Sequence, residues 1–87
     1  MVKLHYYSAT WCGPCKMFKP IVQKFADKHP ECEVVYMDIE EHPEQAETFN
    51  IRAVPTCVFM KGEKEVSRFS GSKSLDHLES LLDEATI

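Results

Sequence analysis

Two thiols stand three positions apart in Trp11-Cys12-Gly13-Pro14-Cys15-Lys16. A C-x-x-C set where a strand runs into a helix places the first sulfur beside the unpaired backbone N–H groups of the helix N-terminus, which favour its thiolate. The second lies one turn on, within disulfide reach. Such a pair opens and closes without refolding the chain, so thiol-disulfide exchange is the leading reading. The alternative is half of a structural zinc site. There is no second close cysteine pair, however, and His5, His29, His42 and His77 stand at no ligand spacing, so no metal is expected. Of the other two cysteines, Cys57 follows Pro-Thr inside an apolar run and reads as a buried, inert thiol. Cys32 lies in a polar connection and is expected to be exposed, where it would give accidental dimers.

The elements that must hold the pair follow from periodicity. Val2 to Tyr7 reads as a strand with Val2, Leu4 and Tyr6 on one face and Lys3, His5 and Tyr7 on the other, the second face only partly covered. From Cys15 to Lys28, Met17, Phe18, Ile21, Val22 and Phe25 recur at helical spacing, with Pro20 inside the rod and His29-Pro30 closing it. Glu33 to Ile39 alternates as a strand, and strand, helix and strand make a right-handed parallel unit. Pro43 suits the first position of a short helix ending near residue 49, with Asn50 as a left-handed stop. Cys57-Val58-Phe59-Met60, the turn Lys61-Gly62-Glu63-Lys64, and an answering strand through Val66, Arg68 and Phe69 form an antiparallel hairpin. Ser74 caps a last helix that turns Leu75, Leu78, Leu81, Leu82 and Ala85 inward. The expected fold is α/β, a four-stranded mixed sheet flanked by three helices, and Pro55 must enter its strand at an edge or through a cis bond.

Eighty-seven residues, 44% of them apolar, make a single domain over 1–87 with a small core. The net charge of −4 and the lack of any dense Lys/Arg run argue against nucleic acid as a partner. No apolar stretch reaches membrane-spanning length and no leader pattern is seen, so a cytoplasmic monomer in a reducing compartment is expected.

Trp11-Cys12-Gly13-Pro14-Cys15-Lys16, Pro20, Ile51-Arg52-Ala53-Val54-Pro55-Thr56 and Gly71 together resemble thioredoxin, over nearly the whole chain. The Arg-x-Val-Pro-Thr segment places Pro55 40 residues after Cys15. Residues answering to the strand and helix with which most thioredoxins begin do not precede Val2, as in the short form found in some archaea and phages. The resemblance implies a minimal thioredoxin fold and a protein-disulfide reductase: Cys12 the exposed nucleophile, Cys15 the resolving thiol, and Pro55 a cis proline against the pair. It implies that the Val54 backbone pairs with an extended substrate segment, that Gly71 lets it approach, and that Trp11, Ala53 and Ser70 complete an apolar rim. Gly13 and Pro14 stiffen the turn, and Lys16 helps the thiolate modestly. No cofactor would be bound. Electrons would come from a thioredoxin reductase using NADPH and flavin, and pass to disulfide-containing proteins such as ribonucleotide reductase, in cell redox homeostasis.

One departure bears on mechanism. Thioredoxins usually carry a buried Asp six residues before the nucleophile, with a Lys partner on the next strand; here these positions hold Tyr6 and Tyr36. Losing one member of such a pair would leave an uncompensated charge costing roughly 3–5 kcal/mol, whereas exchanging both for neutral groups is tolerated. Tyr6 and Tyr36 are therefore expected beneath Cys15, with a hydroxyl able to donate to a thiolate, and the Cys15 proton leaving through water or, less readily, to Asp38. Two other functions fit parts of the pattern: a glutaredoxin-like, glutathione-dependent reductant, against which Trp11 and Gly13-Pro14 argue, and a non-catalytic binding subunit of a larger enzyme.

Overall fold

The computed structural model describes residues Met1–Ile87. Seven elements follow one another as β1 Val2–Ser8, α1 Gly13–Lys28, β2 Glu33–Asp38, α2 Pro43–Thr48, β3 Thr56–Lys61, β4 Lys64–Ser70 and α3 Leu75–Thr86. The strands form one sheet in the order β2-β1-β3-β4, with β1 and β2 parallel and the other two pairings antiparallel. This is the expected four-stranded mixed sheet with three helices.

Strand alternation divides the sheet between two cores. Val2, Leu4 and Tyr6 of β1 and Cys57 and Phe59 of β3 face α1 and α3, meeting Phe18, Val22, Phe25, Leu78, Leu82 and Ala85. Each fully buried Phe, Leu or Val stabilises this layer by about 1.5–3 kcal/mol. The opposite face holds Tyr7, Val58 and Met60, covered by Met37, Ile39, Phe49 and Ile51. Tyr7 has no exposed surface, so this face is closed more fully than Lys3 and His5 imply. The covering comes from the chain around α2, whose Phe49 packs edge-on to His5 at 5.5 Å and tilted against Tyr7 at 6.3 Å.

Local chemistry sets the boundaries. α1 starts at Gly13, before Cys15, because Cys12 caps it and Pro14 fits the first turn, where no N–H is needed. It runs through Pro20 to Lys28. Asn50 takes a left-handed φ of +55° just past α2, and Gly62, with φ +65°, turns the hairpin. In β4 the register shifts: Ser67 pairs with Phe59 and Glu65 with Met60, leaving Val66 as an extra residue. Val66 is accordingly 39% exposed, while Phe69 reaches the larger core. The Ser74 hydroxyl accepts the His77 N–H at 3.1 Å and caps α3.

Cys32 corrects an expectation. Its polar neighbours Glu31 and Glu33 face water, but the Cys32 side chain turns into the larger core and is 3% exposed. Burial first, then the two flanking carboxylates, push its thiol up to about 11. Cys57 is fully buried as expected, and burial pushes it up to about 12.

The carboxyl end of α1 is fastened to α3 by charge. His29 Nε2 lies 2.7 Å from Glu79 Oε2, its Nδ1 lies 3.1 Å from Glu31 Oε2, and Lys28 Nζ lies 3.0 Å from the same Glu79 oxygen. The Glu79 hydrogen bond, aided by Glu31, raises the His29 pKa against the opposing pull of burial. A raised folded pKa contributes stability that is complete below the unfolded value of about 6.5 and is lost as pH climbs through the folded value. His29→Gln is therefore expected to lower the unfolding midpoint by roughly 2–5 °C at pH 5.5 and by much less at pH 8.5. Equal losses at both pH values, in thermal melts followed by circular dichroism, would contradict the assignment.

Candidate active site

The reactive sulfurs sit where β1 hands over to α1. The Cys12 N–H donates to the Ala9 carbonyl at 3.1 Å, closing a turn that sets Cys12 as the cap of α1 with extended backbone (φ −85°, ψ 107°). Its Sγ accepts the Cys15 N–H at 3.2 Å, one of the amides a helix N-terminus leaves free. Cys12 and Cys15 are joined as a disulfide, with Cα atoms 5.3 Å apart. Both are nearly buried, at 3% and 4% exposure. Cys12 thus departs from the expected exposed nucleophile: in the bonded form it is buried in a small cluster with Ala9 and Cys15, against which Ile39 and Val54 pack. The accessible surface at this corner belongs to its neighbours, Trp11 at 65% exposure among them, with Gly13, Pro14 and Lys16.

The residues around Pro55 approach from the other side of the sheet end. Val54–Pro55 is a cis bond, Val54 packs against the cysteine cluster, and Pro55 is fully buried. The Gly71 N–H donates to the Pro55 carbonyl at 2.8 Å, with Gly71 at φ +89°, where side chains are disfavoured. The Thr56 hydroxyl bonds both the Ala53 carbonyl and, at 3.0 Å, the Ser70 hydroxyl. Ala53 and Ser70 are exposed beside this anchored backbone. Ala53, Val54, Pro55, Ser70 and Gly71 thus lie on one hydrogen-bonded set of loop and strand end, while Trp11 stands exposed beside Cys12.

The two tyrosines separate. Tyr6 is buried, and its hydroxyl donates to the Cys15 carbonyl oxygen at 3.1 Å, not to a sulfur. Burial pushes its pKa up to about 12, so it is no base at neutral pH. Tyr36 does not lie beneath Cys15. It stands on β2, one of the sheet's two edge strands, 42% exposed, with its ring edge-on to Tyr6 at 5.9 Å and Lys19 Nζ 5.9 Å from its centre.

Two spaces open beside the disulfide. One, of about 200 Å³, is bounded by Tyr6, Ser8, Ala9, Thr10, Cys15, Lys16, Lys19 and Asp38. The other, of about 680 Å³, is an apolar groove along Gly13, Pro14, Met17, Phe18, Ile21 and Ser72. The sequence reading named Asp38 only as the lesser outlet for the Cys15 proton, and missed that Ser8 and Lys19 join it around one space at Cys15. The signal was available: parallel pairing of β1 with β2 sets Ser8 opposite Asp38 at the carboxyl ends of both strands, where α/β sheets open their crevices. No three His, Cys, Asp or Glu side chains come together as a metal site, and no helix is long and apolar enough to cross a membrane.

With this geometry in view, comparison with known proteins is specific. The thioredoxin family model matches residues 2–84. Thioredoxin H2 of Arabidopsis thaliana is 44% identical over 73 residues, covering 84% of this chain and 54% of that protein. The thioredoxin of Chlamydia muridarum is 37% identical over 78 residues, covering 90% and 76%. The chain therefore spans just over half of the plant relative and three quarters of the bacterial one. Among solved structures, Fasciola hepatica thioredoxin superposes with a TM-score of 0.90 at 34% identity, covering 97% of this chain and 80% of that one. Thioredoxin NaTrxh from Nicotiana alata gives 0.91 at 34% identity, with 97% and 72% covered.

Proposed function

The chain belongs to the thioredoxin family, and we propose that it is a protein-disulfide reductase working through Cys12 and Cys15. The observation that carries this reading is the Cys12–Cys15 disulfide at the capped N-terminus of α1, whose free amides and dipole favour a thiolate at Cys12 once the bond is reduced.

Catalysis takes two exchanges. The Cys12 thiolate attacks one sulfur of a target disulfide, forming a mixed disulfide and expelling the other target sulfur as a thiolate. Cys15 then loses its proton and attacks the Cys12 sulfur. The Cys12–Cys15 bond forms, the bond from Cys12 to the target breaks, and the target leaves with the electron pair. The target gains two electrons, and this chain is left oxidised. An extended target segment docks along the Val54 backbone, with Gly71 allowing close approach and Trp11, Ala53 and Ser70 flanking it. Pro55 fixes the Val54 peptide, Gly13 and Pro14 hold the turn stiff, and Lys16 adds a modest favourable charge. Tyr6 steadies the Cys15 carbonyl. The chain acts as one domain and a monomer in the cytoplasm, binds no cofactor, and is re-reduced by a thioredoxin reductase drawing on NADPH and flavin. Its targets are disulfide-bonded proteins of the kind ribonucleotide reductase represents.

Insulin reduction tests this directly. Precipitation of the insulin B chain is expected with NADPH and a flavin-dependent thioredoxin reductase, and not with glutathione and its reductase. The Cys12→Ser, Cys15→Ser double variant should give none. Turnover with glutathione alone would instead favour a glutaredoxin-like enzyme, and biological activity surviving the double substitution would favour a binding subunit.

A further inference from the structure

The second exchange requires a group to take the Cys15 proton. The Tyr6 hydroxyl is spent on the Cys15 carbonyl and is itself a very weak acid. Beyond it, the space of about 200 Å³ that reaches Cys15 has room for several waters and contains one carboxylate, Asp38. A neighbouring space of about 250 Å³ shares Tyr6, Ser8, Lys19 and Asp38 and opens past Tyr36 and Glu41. Asp38 therefore borders both the space that reaches the resolving cysteine and the space next to it.

We propose that Asp38 is the proton acceptor for Cys15, reached through water held in this space. This rests on the reductase reading above and names the group that completes its second step. The Asp38 side chain is fixed for the task. Oδ1 accepts the Glu40 N–H at 2.7 Å and the Glu41 N–H at 3.4 Å, while Oδ2 has no protein partner. The Ile39 N–H, donating to the Ser8 carbonyl at 2.9 Å, locks the end of β2 to the end of β1. As Cys15 attacks the Cys12 sulfur, its proton passes through water to Oδ2, the new S–S bond forms, and the target thiolate departs. Asp38 then returns the proton to solvent. Negative charge moves from Asp38 towards Cys15, and Lys16 and Lys19, which line the same space, accommodate both positions. A carboxylate is a far stronger base than the water that would otherwise receive the proton. The other titratable groups facing Asp38 are Tyr6 from β1 at the same space and, at the neighbouring one, Tyr36 from β2 and Glu41 in the turn; Glu40 lines neither space and accepts a hydrogen bond from Thr10 at 3.3 Å.

The test is single-turnover release of a fluorescent peptide thiol from a peptide disulfide, by stopped flow between pH 5.5 and 10, with mixed-disulfide formation read separately by acid quench and mass spectrometry. Asp38→Asn keeps the Oδ1 that accepts both N–H groups and removes the base. It is expected to form the mixed disulfide at the wild-type rate and to release peptide about 100-fold more slowly at pH 7. The deficit should shrink about tenfold per pH unit and vanish once the thiol ionises unaided. Glu44→Gln, the same change of charge outside both spaces, should release at the wild-type rate. Release by Asp38→Asn within twofold of wild type at pH 7, or a deficit that stays constant to pH 10, would overturn the proposal. If wild type forms no Cys12-linked adduct at all, the reductase reading itself has failed, an outcome distinct from a normal adduct that resolves without Asp38.

Discussion

A Cys15→Ser chain mixed with a disulfide-bonded protein is expected to be recovered joined covalently to it through Cys12. With the resolving thiol gone, the adduct can be opened only by outside thiols, so it should persist for minutes to hours, the timescale of uncatalysed disulfide rearrangement. Neither remaining cysteine can substitute. Cys32 and Cys57 are buried in the larger core, and burial pushes their thiols up to about 11 and about 12, where almost no thiolate exists at neutral pH. Cys12→Ser in the same mixture should give no adduct. Non-reducing gels and intact mass read the result. Adducts that form equally well with Cys12→Ser, or that clear from Cys15→Ser as fast as from wild type, would refute the order of the two exchanges.

Phe25→Ala is expected to carry the largest cost in stability. Phe25 is fully buried on the inner face of α1, edge-on to Phe59 of β3 at 6.2 Å and against His29 at 5.0 Å, and so joins helix, sheet and the Glu79 cluster. Truncating a core aromatic costs about 3–5 kcal/mol, the transfer of the ring plus the cavity it leaves. An 87-residue chain has about 4–13 kcal/mol in total, so the variant should lose roughly a quarter of its stability or more. Urea titration checks this by the displaced midpoint at unchanged slope. A loss under about 1 kcal/mol would mean that the site collapses around the missing ring.

Residues whose environment is set by their own element were legible in the sequence. The stripe from Phe18 to Phe25, the Ser74 cap, the left-handed Asn50 and the burial of Cys57 all follow from spacing and local chemistry. The dithiol was legible for the same reason, since four residues and one helix start define it. Residues whose environment is set by a distant element were not. Cys32 lies between two exposed glutamates, and only the packing of α1 and α3 over the sheet shows that it turns inward. Tyr36 has the alternation of a buried strand residue, but the sheet order makes β2 an edge and leaves it in water. Tyr7 was read beside Lys3 and His5 as half-covered until Phe49 folded over it. The resemblance put Cys12 outside, yet the residue that caps α1 lies, when bonded, in a buried cluster with Ala9 and Cys15 against which Val54 packs.

The interior placement of Cys32 and Cys57 gives the folded molecule a fixed stoichiometry. With both sealed away and only one couple at the corner, each chain carries two electrons per cycle, and neither Cys32 nor Cys57 offers a second disulfide while the chain stays folded. It exchanges reducing equivalents in one denomination, and its state at any moment is either full or empty.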